Sequence, residues 1–304
     1  MGLLADQLLG EAPLSPHPVA LFGTAMGAFE RVGYADRRGP GAAYAATGTA
    51  LGWGAGVVLG STAAATYVAV AGRALREAAA AVAVPLGAGD LAAARSRLPA
   101  LVGRDPTALD GPEIARAVVE SLADNTVDAV VAPCLWAAAA GAPGALAYRA
   151  VNTLDAMVGH RSERHRNFGW ASARLDDLAG WVPARVTAAL VAAVRPGRAR
   201  AVWRTVRADA PSHPSPNAGV AEAAWAAALG VRLGGTNRYG GRVEVRPRLG
   251  AGPPPSAADI ARAAALSRDV TVALGVLLGG PAVAAALAGA GRRLARARAT
   301  GGRG

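Results

Sequence analysis

GPGAAYAATGTALGWGAGVVLGSTAAATYVAVAG, residues 39–72, runs for more than thirty positions without one charged side chain. About 20 apolar residues in a helix cross a bilayer core of about 30 Å, so this run is long enough for one tilted span or two short ones. Three further runs share its character. Residues 129–148 are uncharged but contain Pro133, Gly141, Pro143 and Gly144. Residues 178–194 are apolar except for Arg185, with Trp181 near their start, and residues 270–291 are uncharged, broken by Gly279, Gly280 and Pro281, and followed by an arginine-rich tail. Val19 to Phe29 is apolar but too short to span, which predicts an interfacial or partly buried helix. No alternating strand pattern is convincing. The fold class expected is therefore all-α: a polytopic integral membrane protein in a single domain, residues 1–304, with polar helical loops at 73–128, 149–177 and 195–269.

Composition agrees. Hydrophobic residues make up 52% of the 304, charged residues only 17%, and glycine contributes 39 positions; ordinary soluble domains carry about 25% charge. Such a chain is not intrinsically disordered. All 32 basic residues are arginine, which excludes a Walker A phosphate loop, a lysine Schiff base and a lysine nucleophile. The lone Cys134 allows no internal disulfide and no thiolate metal cluster. The net charge of +11 is read as arginine flanking the apolar runs, in contact with cytoplasm and anionic lipid headgroups, and not as nucleic-acid binding. Residues 1–10 carry no pattern of a cleavable secretory signal.

The polar stretches hold the chemistry. Helices are expected around Leu75–Val84, Ala92–Val102 and Ile114–Leu122, the last starting at Pro112–Glu113 after Asp110. On that helix Arg116, Glu120, Asp124 and Asp128 recur every four residues and form one slowly drifting polar stripe, joined by Glu113 and Asn125. A solvated face with an internal Arg116–Glu120 pair is one reading. A divalent-cation or Mg-nucleotide site is the other, because hard cations take carboxylate oxygens and the stripe runs into an apolar segment where an unpaired carboxylate is costly.

In YRAVNTLDAMVGHRSERHRNFGWASARLDDLAGW, residues 148–181, Arg149, Asn152, Asp155 or Ala156, and Gly159 share a helical face. Arg149, Arg161, Arg164, Arg166 and Arg174 sit among Asp155, Glu163, Asp176 and Asp177, and guanidinium forks recognise phosphate and carboxylate. A positive-inside loop with surface ion pairs is the plain alternative. His160 and His165, five apart and so about 140° apart on a helix, are no i, i+4 zinc pair. In DAPSHPSPNAGVAEAAWAAALGVRLGGTNRYGG, residues 209–241, prolines constrain His213, Ser215 and Asn217 ahead of a helix, and the glycine-rich turn carries Asn237 and Tyr239. The bland reading there is a capping turn and a hairpin-like loop. Ser215 with His213 lacks an acidic orienter and a nucleophile elbow, against a hydrolase.

These strings resemble the cobalamin-biosynthesis family CobD/CbiB, the adenosylcobinamide-phosphate synthases. The resemblance is carried by LLGEAPLSPHPVALFG (8–23), VGRDPTALDGPEIARAVVESLADNTVDAVVAPCLW (102–136), YRAVNTLDAMVGHRSERHRNFGWASARLDD (148–177), PARVTA (183–188) and HPSPNAGVAEAAWAAALGVRLGGTNRYGG (213–241), collinear over most of the polar chain. It departs at Asp124, where the family string carries Glu, and at His160, where an aromatic is usual. What the resemblance implies is an inner-membrane enzyme joining adenosylcobyric acid to (R)-1-aminopropan-2-yl phosphate, or a close relative, with ATP hydrolysis. Such a site needs a metal on the ATP phosphates, cations for the phosphoryl groups and a base for the ammonium. The candidates are Glu120, Asp124 and Asp128 for Mg2+; Arg161, Arg164 and Arg174 for phosphate; and Asp155, Asp176, Asp177 or His213 for proton transfer. Asn125, Asn152, Asn217 and Asn237, with Ser215 and Tyr239, are candidates for substrate binding. Membrane lipid and other late cobalamin-biosynthesis enzymes are the expected partners. A corrinoid transporter is the rival reading, though it predicts polar residues within the spans; a non-catalytic scaffold is another, and needs no such polar strings.

Topology poses a conflict. If residues 129–148 cross the membrane fully, the carboxylate stripe and the arginine-rich stretch lie on opposite sides and share no site. A broken or returning pair of helices is therefore expected at 129–148.

Overall fold

The computed structural model describes residues 1–12, 14–160, 162–239 and 242–301, and the side chains among them except those of 238–239, 242–243 and 281–301. Twelve helices and one β-hairpin are seen among the described residues. The amino-terminal half contains α1 (Gly2–Leu9), α2 (Pro18–Gly33), α3 (Arg38–Leu59), α4 (Thr62–Ala69), α5 (Gly72–Gly87), α6 (Leu91–Arg97) and α7 (Gly111–Thr126). Then come α8 (Ala132–Leu154), α9 (Trp170–Val194), α10 (Ala199–Asp209), α11 (Ala218–Leu229), strands β1 (Leu233–Tyr239) and β2 (Arg242–Leu249), and α12 (Ala257–Gly301). Four helical stretches are long and apolar enough to cross a membrane: Arg38–Leu59, Gly111–Gly159, Trp170–Val194 and Ala257–Gly280. The chain is an all-α polytopic membrane protein.

The opening run is two helices, not one. Gly60 takes a left-handed conformation (φ 67°) that ends α3, and Ser61 caps α4 by accepting from the Ala64 amide. Within α3, Gly48, Gly52 and Gly56 recur every four residues and are buried. A Cβ at Gly52 would lie 2.6 Å from that of Ala150, and one at Gly56 would overlap Pro143. The glycine stripe thus lets α3 lie backbone to backbone along α8, the small-residue packing that lipid-embedded helices use.

Residues 129–148 are broken as expected. Ala140 and Gly141 leave the helical region, with Gly141 at φ 64° and ψ −149°, and Pro143 follows. The two arms then run back along each other. A Cβ at Gly144 would overlap the carbonyl of Trp136, eight positions earlier, a proximity that no continuous helix allows because eight residues rise about 12 Å. At the open end Asp128 accepts hydrogen bonds from the Tyr148 hydroxyl (3.2 Å) and the Asn152 amide (3.1 Å). The ends of the segment are therefore together, and the sidedness conflict disappears. Single cysteines placed at Asp110 and Arg161 in a Cys134→Ala background should react with an impermeant maleimide from the same membrane face; reaction from opposite faces would contradict a returning hairpin.

α7 begins as its sequence predicts, with Asp110 and Glu113 forming a reciprocal capping box (Glu113 N to Asp110 Oδ1 2.8 Å, Asp110 N to Glu113 Oε2 3.0 Å). From Ile114 to Ala123 every residue is buried, and α11 is buried along its whole length around Trp225. These helices, with α5 and the described part of α12, make the principal core. The expectation of no strand is corrected: β1 and β2 form an antiparallel hairpin that pairs Thr236 with Val245 and Asn237 with Glu244. The alternation in RVEVRPRL is interrupted by Pro247 and mixes arginine with valine, so its pattern is weak in sequence.

Candidate functional site

Two π-helical turns aim the carboxylates. One, Val127–Val131, continues α7 and carries Asp128; the other, Asp155–Gly159, continues α8 and starts with Asp155. Such turns shift the register of every following side chain and are concentrated at functional sites. Gly159 leaves room for Asp155, since a Cβ there would collide with the Asp155 carboxylate. Asn152 donates to both Asp128 (3.1 Å) and Asp176 (3.3 Å), while Arg149 donates to the Asn152 side-chain oxygen (3.4 Å). Asp124, Asp128, Asp155 and Asp176 are all half-buried and close enough to interact electrostatically. Arg246 is the cation that faces Asp124. The result is a cluster of like charges tied by one amide, with accessible hard oxygen donors. No three histidine, cysteine, aspartate or glutamate side chains are already gathered around a metal position among the described residues.

Beside this cluster opens a cavity of about 710 Å3, within the range of small-molecule sites. Arg166, Arg174, Arg185 and Arg207 line it, with His160, His165, His213, Trp170 and Asp177. Asp177 adjoins Asp176, so the acidic cluster and the basic cavity share a wall. Arg185 donates through Nη1 to the Trp181 carbonyl (3.0 Å) and Asn217 Oδ1 (3.1 Å), with its guanidinium over the Trp181 ring at 4.3 Å.

The expected site residues separate into two groups. Asp124, Asp128, Asn152, Asp155, Asp176 and Asp177 come together, and Arg174 lines the cavity. Glu120 does not join them. Its carboxylate takes Arg104 Nη2 at 2.6 Å, Arg116 Nη1 at 3.3 Å and the Gly234 amide at 2.8 Å. Asn237 lies in the same knot, accepting from Arg104 (2.9 Å) and Arg116 (3.1 Å). Both residues thus fasten β1 to α7, and the expected stripe of three metal-binding carboxylates reduces to Asp124 and Asp128. Asn125 folds back onto Ser121 of its own helix. Ser215 accepts from the amides of Asn217 and Ala218 as a cap, and Asn217 donates to the Asp177 carbonyl at 2.8 Å. Arg164 points at α2, where it pairs with Glu30 (3.1 Å) and stacks on Tyr34 at 4.1 Å. Arg161 and the Tyr239 side chain lie outside the described residues.

His213 is enclosed. Its Nε2 lies 3.1 Å from Arg246 Nη1, and because a guanidinium only donates, Nε2 accepts; Nδ1 lies 3.1 Å from both the amide nitrogen and the carbonyl oxygen of Ser215. Burial, with Arg246 adding to it, holds the imidazole below its ordinary value, toward the neutral form. Both ring nitrogens are thus engaged, Nε2 by Arg246 and Nδ1 by the Ser215 backbone.

The wall made by residues 160–169 is strapped to α2. Glu30 accepts from His165 Nε2 (3.0 Å) as well as Arg164, Tyr34 donates to the Arg164 carbonyl (2.8 Å), and Asn167 donates to Asp36 (3.0 Å). Burial pushes the Glu30 carboxyl up, but the bonds from His165 and Arg164 outweigh it and leave the group below its ordinary 4.5. A depressed carboxylate contributes stability that is present above that value and fades as pH falls through the folded one. Melting curves from pH 3 to 7 should therefore converge for wild type and Glu30→Gln at the acid end and diverge above about pH 5; parallel curves would remove Glu30 from the strap.

A family model described as CobD/Cbib protein matches residues 1–267. The chain belongs to the CobD/CbiB family. Its relatives include the cobalamin biosynthesis protein CobD of Mycobacterium tuberculosis (strain ATCC 25618 / H37Rv), 47% identical over 290 residues, 91% of this chain and 92% of the relative. The protein of the same name from Rhodobacter capsulatus is 49% identical over 229 residues, 75% and 72% of the two chains. That of Chromobacterium violaceum is 42% identical over 283 residues, 88% and 90%. No solved structure matches. Membership in the CobD/CbiB family places the protein in cobalamin biosynthesis. Arg104, Arg207 and Arg246 were not singled out by spacing, because each comes to its place only through tertiary packing.

Proposed function

We propose that the protein is an adenosylcobinamide-phosphate synthase of the cytoplasmic membrane, forming the amide between adenosylcobyric acid and (R)-1-aminopropan-2-yl phosphate, or a related amino-alcohol phosphate, with hydrolysis of ATP. The observation that carries this reading is the shared wall between a carboxylate cluster and an arginine-lined cavity. An amide ligase must hold anionic phosphates and a cationic amine within reach of one carboxylate, and the two faces offer opposite charge for that purpose.

In the chemistry proposed, a propionate oxygen of the corrinoid attacks the γ-phosphorus of ATP and ADP leaves, giving an acyl phosphate. The ammonium first gives one proton to a carboxylate; the freed amine nitrogen attacks the acyl carbon, inorganic phosphate leaves, and the second proton lost from nitrogen departs with the phosphate. Asp155 and Asp177 are the candidates for that first proton, since His213 is occupied by Arg246. The arginines neutralise the transferring phosphoryl group. Asp124 and Asp128, with Asp176 once Asn152 releases it, are the side chains that fit Mg2+ by donor type and access. Bound there, Mg2+ would supply charge neutralisation at the ATP phosphates. The working face is the cytoplasmic one, where ATP is. Purified protein in detergent, given adenosylcobyric acid, the amino-alcohol phosphate and Mg-ATP, should yield adenosylcobinamide phosphate with one ADP per amide; no amide under conditions where a family relative works would reject the reading.

A further inference from the structure

We propose that the arginine-lined cavity is the nucleotide site, and that Arg207 of α10 and Arg174 of α9 are ligands of the nucleotide's phosphate chain, an assignment that rests on the ligase reading. Arg166, Arg174 and Arg207 form no hydrogen bond or ion pair among the described residues, and Arg185 engages through Nη1 alone, leaving Nε and Nη2 without a protein partner there. An exposed arginine without a partner is ordinary. Guanidiniums from α9, α10 and the loop before α9 converging on one cavity are not, because an anion between them relieves their mutual repulsion most directly.

Charge chooses between the two phosphate-bearing substrates. Among the described residues, four guanidiniums face the single carboxylate of Asp177 on the cavity wall. A nucleoside triphosphate is polyanionic throughout its reactive end and suits that excess. The amino-alcohol phosphate is a zwitterion whose ammonium the arginines would repel, and whose natural place is the cluster of Asp124, Asp128, Asp155 and Asp176. With the nucleotide in the cavity, the phosphate end toward Asp177 is also the end nearest that cluster. The chain has no lysine, so a site built of arginine is the alternative to a phosphate loop that its composition permits.

The test is equilibrium binding of a non-hydrolysable ATP analogue to purified protein in detergent, by calorimetry, for wild type, Arg174→Gln/Arg207→Gln and Arg200→Gln/Arg204→Gln. The last pair lies on α10 outside the lining of this cavity, in a second pocket that Arg207 also touches, and controls for net charge. The expected result is a loss of at least tenfold in affinity for Arg174→Gln/Arg207→Gln only, and in turnover a raised KM for ATP with the KM for the amino-alcohol phosphate unchanged. Unchanged analogue affinity, or an equal loss in the control pair, would overturn the site. A raised KM for the amino-alcohol phosphate instead of ATP would move that substrate into the cavity and overturn the assignment while the ligase reading stands. Analogue binding that behaves as expected in a protein forming no amide would uphold the site and reject the ligase reading.

Discussion

Asp128→Asn lowers amide formation by roughly 100- to 10,000-fold, the span that a positioned acid, base or ion ligand contributes, while the melting temperature stays level or rises. The reasoning starts from what the carboxylate touches. Asp128 accepts from Tyr148 and Asn152, and an asparagine side chain keeps an oxygen of the same shape for one of these contacts. What it removes is one carboxyl from a group of four crowded together at the open end of the hairpin. Half-buried like charges are held together at a cost in stability, so their retention calls for a benefit outside folding. Asp124→Asn is expected to behave alike. Rates within twofold of wild type for both variants would remove these carboxylates from the chemistry; lost activity with an equal loss of stability would make them structural. Membrane insertion, followed by fractionation, is expected to be unchanged in both.

Local rules were legible where a local cause was sufficient. The Asp110–Glu113 capping box lies within four residues, and Gly141 with Pro143 announces a break that the backbone then makes. The face shared by Arg149, Asn152, Asp155 and Gly159 survives because all four lie on one helix and its π-helical extension. The same periodicity misled at Glu120. Spacing of four puts it in line with Asp124 and Asp128, but its partners Arg104 and the Gly234 amide come from a loop 16 positions earlier and a strand 114 positions later. The π-helical turn after α7 then shifts the phase of the stripe just where Asp128 belongs. The basic cavity was half visible: Arg174 was singled out by charge among carboxylates, whereas Arg207 sat in a run of arginines that any span-flanking segment would show. Packing of α10 beside α9 and α11 brings Arg207 alone of the three to the cavity, although it also lines a second pocket with Arg200 and Arg204.

Glu120→Ala is expected to have the largest effect on folding, about 3–5 kcal/mol, the usual penalty for removing one partner of a buried ion pair. Arg104, Arg116 and Glu120 are each less than a tenth exposed, and among the described residues the glutamate is the one anion holding both guanidiniums at hydrogen-bonding distance. Without it, two buried cations face each other across the Asn237 carbonyl oxygen, and the Gly234 amide loses its acceptor. Replacing the whole knot by apolar residues can be neutral, but deleting its anion cannot. Glu120→Gln should fall between, since a neutral amide oxygen still serves Gly234 but no longer balances two charges. The measurement is thermal unfolding in detergent at fixed lipid content, compared with Asp124→Ala. Glu120→Ala melting far below Asp124→Ala assigns Glu120 to the fastening of the β-hairpin. Wild-type melting with loss of activity confined to the Mg2+ dependence would return it to the metal site, and would require Arg104 and Arg116 to release it when the ion binds.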